Sequence, residues 1–263
     1  MIGRKKMWQR WLIAPAIPLS ILIVISLITI LGASAAETPV NKAYSLNWCG
    51  YVATDTATGL KPFSEVSATW TVLPVTSTMV PAYSATWVGI GGFPVPTNMI
   101  QAGTGQFVTY TGLQYFAWFE IIPAPYFFVS NVSPGDTIKV TISKVYDKLA
   151  LWHIAMTITP PAGSPRTFNK DVYFASTDVT TCTAEFVVER PFNFFNVLVP
   201  PRLANFGTTT FTQCTANQVG LSKLTSTSLT MTSFGLSPPF GRTLASPSTF
   251  SGDSFKVMYV APR

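Results

Sequence analysis

Charge is what this sequence has least of: Asp, Glu, Lys and Arg make up 11% of its 263 residues, against about 25% in ordinary soluble domains. Histidine is scarcer still, with His153 alone, and cysteine occurs three times. Each shortage excludes chemistry. A single histidine removes the usual base of serine and cysteine hydrolases, and no Gly-x-Ser-x-Gly, His-Glu-x-x-His or phosphate-cradling glycine loop is present. Cys49, Cys182 and Cys214 lack the paired spacing of a zinc site, so no metal or other cofactor is called for. The count allows one disulfide, drawn here between Cys182 and Cys214, with the third thiol free. No cluster of Lys and Arg resembles a phosphate-tracking surface, which argues against nucleic acid as a partner. His153 lies opposite the apolar stripe of Trp152, Ile154 and Met156 and reads as a surface or hydrogen-bonded strand residue. Hydrolysis, if the chain performs it, is left to a carboxyl group working with an amide or a second carboxyl group.

The basic residues are unevenly spread. Arg4, Lys5, Lys6 and Arg10 head an apolar run from Leu19 to Leu31, and Gly32, Ala33, Ser34 and Ala35 supply a small-residue cleavage pattern. Residues 1–35 therefore read as a signal peptide, which leaves 36–263 as a secreted, extracellular chain. The alternative is a retained membrane anchor on the outer face, because the uncharged stretch from Trp11 to Ala36 is long enough to span a bilayer. Four of the 17 basic residues leave with the leader, so 13 face 11 acidic ones and the net charge falls to +2. Few cations remain to repel one another when acid neutralises the carboxylates, a composition suited to low pH.

Apolar residues are plentiful, at 48%, and they recur in short runs bounded by turn residues. Strands are expected at Leu46 to Ala53, Glu65 to Leu73, Ala85 to Ile90, Asn98 to Ala102, Tyr115 to Ile122, Thr137 to Val145, Ala150 to Ile158, Ala184 to Arg190, Thr208 to Cys214 and Ser254 to Val260. No segment beyond the leader sustains a helical period. Ten or more strands in about 228 residues, without repeats or a long linker, predict an all-β chain folded as one large antiparallel double-sheet β-sandwich. The Pro/Ser-rich tract from Leu236 to Ser251 reads as a long surface connection.

One of these strands carries unusual chemistry. Ala184-Glu185-Phe186-Val187-Val188-Glu189-Arg190 sets two of the eleven acidic residues four positions apart in an apolar, β-branched segment. On a strand Glu185, Val187 and Glu189 share one face. A carboxylate on a half-buried face must be hydrogen-bonded, paired or kept protonated, which describes both an acid/base catalyst and a structural ion pair.

Further segments narrow the choice. Asn47-Trp48-Cys49-Gly50-Tyr51 is followed by Trp87-Val88-Gly89-Ile90-Gly91-Gly92, then Ile100-Gln101-Ala102-Gly103, then Ala117-Trp118-Phe119-Glu120, and Gly135-Asp136 forms a turn between these and Ala184 to Arg190. The ordered set resembles the glutamic peptidases, the eqolisin family typified by scytalidoglutamic peptidase, from Asn47 to about Cys214. The resemblance implies a lectin-like β-sandwich and an endopeptidase that needs no cofactor and takes protein or peptide substrates; the chain is expected to be a monomer. It implies Gln101 and Glu189 as the catalytic pair, Glu185 as a supporting residue, Trp48 and Trp87 as groove linings, and Glu120 close to the groove. The glutamate would take a proton from water and return it to the departing amine, while the glutamine amide steadies the oxyanion. With a reference pKa of about 4.3 such a base still works in mild acid, where histidine would be protonated.

The sequence departs from the family pattern in several places. Gly91 stands where the family has Asp, Phe119 and Ile121 flank Glu120 in place of Tyr and Trp, and Arg190-Pro191 follow the second glutamate where the fungal pattern is more acidic. Two other readings compete: a noncatalytic lectin-like binding or surface protein of the same fold, and a glycoside hydrolase using Glu185 and Glu189 as paired carboxylates.

Overall fold

The computed structural model describes residues 40–54, 62–76, 79–94, 98–146, 150–175, 181–191, 201–233 and 241–260. The segment read as a leader lies outside them. No helix among the described residues is long and apolar enough to cross a membrane. Seventeen strands run through them in chain order. They are β1 (Val40–Ser45), β2 (Trp48–Thr54), β3 (Glu65–Thr71), β4 (Ala82–Gly91), β5 (Met99–Thr109), β6 (Gly112–Ile122), β7 (Phe127–Asn131), β8 (Thr137–Tyr146) and β9 (Leu151–Thr159). After these come β10 (Arg166–Tyr173), β11 (Thr183–Glu189), β12 (Arg202–Leu203), β13 (Thr208–Ala216), β14 (Val219–Gly220), β15 (Thr225–Thr232), β16 (Thr243–Pro247) and β17 (Phe255–Tyr259).

The chain is all-β, as composition and periodicity predict. One sheet runs β1-β15-β2-β11-β4-β5-β6-β7, with the short β12 beside β4, and is antiparallel except for the parallel β1–β15 and β12–β4 pairs. The second runs β10-β9-β8-β3-β13. β13 belongs to both: Thr208 to Phe211 pair with β17, and from Thr212 on, across a register shift between Thr212 and Thr215, it pairs with β3. Gln213, at φ 54°, makes the bend that carries the strand from one layer to the other.

Alternation builds the space between the layers. In β9 every second residue, Trp152, Ile154, Met156 and Ile158, is buried, and these meet Phe186 and Val188 of β11 and Ile100 and Ala102 of β5. The opposite face of the first sheet is apolar as well, with Trp48, Trp87, Phe116, Trp118 and Val187 forming a second cluster. β4, β5 and β11 are therefore buried on both faces, which explains why they read as near-continuous apolar runs.

All ten expected strands are present. Those not foreseen are mostly polar, short or at a sheet edge: β15 alternates Thr and Ser, β10 is largely exposed, β12 and β14 have two residues each, and β1 and β7 end the first sheet. Two expectations are corrected. The bridge between Cys182 and Cys214 is not formed, because Cys214 is a free thiol buried in the core cluster on β13. The tract from Leu236 to Ser251 contains β16, with Ala245 fully buried and paired to Tyr259; its first part, 236–240, lies outside the described residues. His153, as expected, is a strand residue at the surface, bonded to Asp171 at 2.6 Å and Asn169 at 3.3 Å.

Candidate active site

Strand register brings the expected site residues onto one face of the first sheet. Directly paired residues of neighbouring strands point to the same side. One cross-strand row reads Val52, Glu185, Gly89, Gln101, Glu120, across β2, β11, β4, β5 and β6. Two residues along each strand the row is Gly50, Val187, Trp87, Gly103, Trp118, and two further it is Trp48, Glu189, Ala85, Gly105, Phe116. The same face carries the second apolar cluster. Three carboxyl groups and one amide thus stand in an aromatic setting floored by glycine and alanine.

The first row holds the unsatisfied groups. Gln101 is buried and its Nε2 donates to Glu120 Oε2 at 2.5 Å, while its Oε1 has no partner. Glu185 is fully buried and neither carboxyl oxygen makes a well-formed hydrogen bond, the Thr183 hydroxyl and the Glu185 backbone N–H being the donors nearby. Burial pushes Glu185 well above the ordinary carboxylate range, and the neighbouring Thr183 hydroxyl offsets only part of that. Only Gly89 stands between the two residues in the row. A Cβ there would lie 3.2 Å from Gln101 Cβ and 3.0 Å from the Ile100 carbonyl oxygen and the Trp87 ring, so a larger residue would crowd this position. Buried polar atoms without partners are rare in native proteins and mark sites where water or a ligand completes the bonding. Glu120 is half-buried; desolvation raises it and the Gln101 amide opposes the rise.

Glu189 has different surroundings. Trp87 Nε1 donates to its Oε2 at 2.8 Å and Asn47 Nδ2 to its Oε1 at 3.2 Å. Burial still lifts it to about 7; the Trp87 and Asn47 donors oppose the rise, and the charge of Glu120 adds to it. Trp48 meets Trp87 edge to face at 5.1 Å, and its indole N–H, the weakest of the three donors around Glu189, opposes the rise least. Trp87 is fully buried and Trp48 nearly so. Asn47, which the sequence reading quoted in a motif but gave no task, is thus a direct ligand of Glu189.

The segment before β2 is fixed from both sides. Ser45 Oγ accepts from the backbone N–H of Asn47 at 3.3 Å and of Trp48 at 3.0 Å. Arg190, buried next to Glu189, donates its guanidinium to the Leu46 carbonyl and its backbone N–H to the Asn47 carbonyl at 2.8 Å. Arg190 therefore belongs to the site, where the sequence showed only a departure from pattern. Replacing it by Met is expected to strand the Leu46 carbonyl, costing about 1–3 kcal/mol. A thermal melt should register this as a fall of roughly 2–12 °C; an unchanged melting temperature would deny Arg190 this task.

No group of three or more His, Cys, Asp or Glu among the described residues is arranged to hold a metal ion. The arrangement offers a buried carboxyl group facing an amide with a spare N–H and a spare carbonyl, beside a second carboxyl group already provided with donors.

Solved structures share this architecture. The crystal structure of scytalido-glutamic peptidase with a transition state analog inhibitor aligns with a TM-score of 0.64 at 21% identity, covering 83% of this chain and 100% of that one. SCP-B, a member of the eqolisin family in complex with the tripeptide Ala-Ile-His, aligns with a TM-score of 0.59 at 20% identity over the same shares. Aspergilloglutamic peptidase from Aspergillus niger gives 0.50 at 27% identity, covering 68% of this chain and 99% of that one. No individually curated protein matches the chain by sequence. The sequence does match the peptidase A4 family over residues 46–259, which takes in every strand from β2 to β17 and every site residue described except Ser45; the chain belongs to the peptidase A4 family and is a glutamic endopeptidase.

Proposed function

We propose that the protein is a secreted endopeptidase active in acid, and that its proton-transfer pair is Gln101 with a glutamate of β11. The resemblance assigned that glutamate to Glu189. The register favours Glu185, and one observation carries the preference: Glu185 and Gln101 are the two residues of the first row with unpartnered buried oxygens, and only glycine separates them. Glu189 already accepts two N–H groups and serves better as an anchor for Trp87 and Asn47. A noncatalytic sandwich would have no evident reason to keep both orphaned groups in one row.

The chemistry follows from the groups. A water molecule between Glu185 and Gln101 gives a proton to the carboxylate as its oxygen attacks the peptide carbonyl carbon. Gln101 keeps one N–H on Glu120 and has a second for the oxyanion, while its Oε1 accepts from the water. The tetrahedral adduct collapses, the carbon–nitrogen bond breaks, and the proton held by Glu185 passes to the amine. Atoms and charge balance without metal or cofactor. Glu120 and Glu189 hold protons well into the acid range, so the site carries little net charge there. As pH rises through about 7 the ionisation of Glu189 adds negative charge beside the base; Glu120, also raised by burial, adds to it when it ionises.

Hydrolysis of a denatured protein from about pH 2 to pH 8 tests the reading, with wild type beside Gln101→Ala and pepstatin present to exclude an aspartic peptidase. Cleavage should be confined to acid and fall on the order of 10²–10³-fold in the variant. A folded wild type that cleaves nothing at any pH would leave a binding protein of the same fold.

A further inference from the structure

Aromatic rings continue from the candidate cleft to the edge of the sheet, where they are exposed. Tyr83 and Phe107 meet at 4.7 Å, Phe107 and Phe116 at 4.9 Å, Phe116 and Tyr126 at 5.7 Å, and Phe116 and Phe128 at 6.4 Å. Phe116 is buried and shares its row with Glu189; its ring covers Gly105, where a Cβ would sit 2.6 Å from the ring tip. Tyr126 and Phe128 are 50% and 60% exposed. They border an open depression of about 500 Å³ that Phe116, Gln114 and Asn131 also line. Two large rings at the surface, Tyr126 stacked on Phe116 and Phe128 tilted beside it, adjoin a third that belongs to the cleft and form a patch of the kind that marks a binding surface.

β7 adds backbone to this patch. Among the described residues it pairs with β6 alone, so its other edge leaves N–H and C=O groups for an extended chain as far as Asn131, whose carbonyl already accepts from Arg166 Nη2 at 3.2 Å and Ser130 Oγ at 3.0 Å. A bulge between Ala117 and Trp118 disturbs the β6–β7 pairing where Phe128 begins. The rows of Gln101 and Phe116 lie four residues apart along β5 and β6, about 13 Å. An extended peptide spans that with about four residues.

We propose that Phe116, Tyr126 and Phe128 form a distal subsite that takes an aromatic or large aliphatic side chain of an extended polypeptide, about four residues from the scissile bond. The occupant is a substrate chain because the shelf runs without a break into the cleft through Phe116. The side chain it takes is aromatic or aliphatic because the Phe116, Tyr126 and Phe128 rings offer the contact, while Gln114 and Asn131 supply an uncharged polar rim suited to peptide backbone. The proposal rests on the peptidase reading for its purpose, but its recognition can be measured without turnover.

The test has two arms. In the first, blocked alanine octapeptides carry one Phe or one Ser, moved through every position, and affinity is read by titration of wild type and of the double variant Tyr126→Ser, Phe128→Ser at a pH where neither peptide is cleaved. At one position Phe should bind at least tenfold more tightly than Ser, and the double variant should bring the ratio to within about twofold. In the second, kcat/KM for longer peptides in acid should show the same preference about four residues from the cut. Equal affinities of the Phe and Ser series for wild type overturn the subsite, as does a ratio that survives the double variant. Binding preference without cleavage at any pH leaves the subsite standing and removes the peptidase reading. Both replaced residues are half exposed, and a melting curve close to that of wild type confirms that the variant folds.

Discussion

Glu185→Gln is expected to lower kcat/KM in acid by on the order of 10³-fold or more, with the melting temperature at pH 5 within a few degrees of wild type. The two effects separate because the side chain's two states contribute differently. Burial drives Glu185 well above the ordinary carboxylate range, so most of the resting protein holds it protonated and a neutral amide of the same shape replaces a neutral acid at little cost, while turnover proceeds through the fraction in which Glu185 is ionised. Turnover needs the same group to take and return a proton, which an amide cannot do, and general acid/base groups contribute about 10²–10⁴-fold. Glu189→Gln should behave differently. Its oxygen can still accept from Trp87 or Asn47 but not from both with equal strength, so activity should fall by only about 10–100-fold through misplaced cleft walls. Steady-state kinetics of the two variants on one peptide, with melts alongside, decide the matter. If Glu189→Gln is the dead enzyme and Glu185→Gln the impaired one, the roles are as the resemblance first assigned them.

Stability should run against the usual direction for carboxylates, highest in acid and falling as pH rises from about 4.5 to 8. Glu189 titrates near 4.5 in the unfolded chain and near 7 when folded. Between those values the folded protein binds more protons than the unfolded one, so raising pH favours unfolding. The contribution is fully present below pH 4.5 and is lost as pH passes 7. At about 1.4 kcal/mol per unit it amounts to on the order of 3 kcal/mol. Glu185 and Glu120 are raised too and add with the same sign. Melting temperature should drop by roughly 5–10 °C or more across this window. Glu189→Gln should flatten the profile, because the group that loses its proton is gone. A melting temperature that climbs steadily from pH 4.5 to 8 would mean that these carboxyl groups are ionised in the folded protein. The result bears on habitat, since a cleft that destabilises its own fold at neutral pH is suited to work where its carboxyl groups stay protonated.

These expectations depend on what could be read at each level. Strand formation was written in the sequence, because alternation such as that of Trp152, Ile154, Met156 and Ile158 has one physical outcome on a pleated strand. The shared face of Glu185, Val187 and Glu189 follows from the same period of two. Scarcity of histidine and of paired cysteines left a carboxyl group and an amide as the plausible hydrolytic groups. Polar strands such as β15 escaped detection, since Thr and Ser carry no apolar period even where neighbouring strands bury them.

Register decided the rest. Residues 84 positions apart, Gln101 and Glu185, fall in one row because β4 pairs with both their strands and offers Gly89 at that rung, and nothing local in either segment encodes that rung. A slip of two residues would have set Glu189 nearer the row instead. The donors on Glu189, the clamp of Arg190 on Leu46, and the exposure of Tyr126 and Phe128 beside the buried Phe116 are likewise properties of packed strands. Composition and periodicity determined that this protein is a sandwich with carboxyl groups on a buried face. Only strand pairing across the sheet determined which carboxyl group looks at which amide, because proximity between distant segments is fixed by long-range hydrogen-bond register and not by local preference.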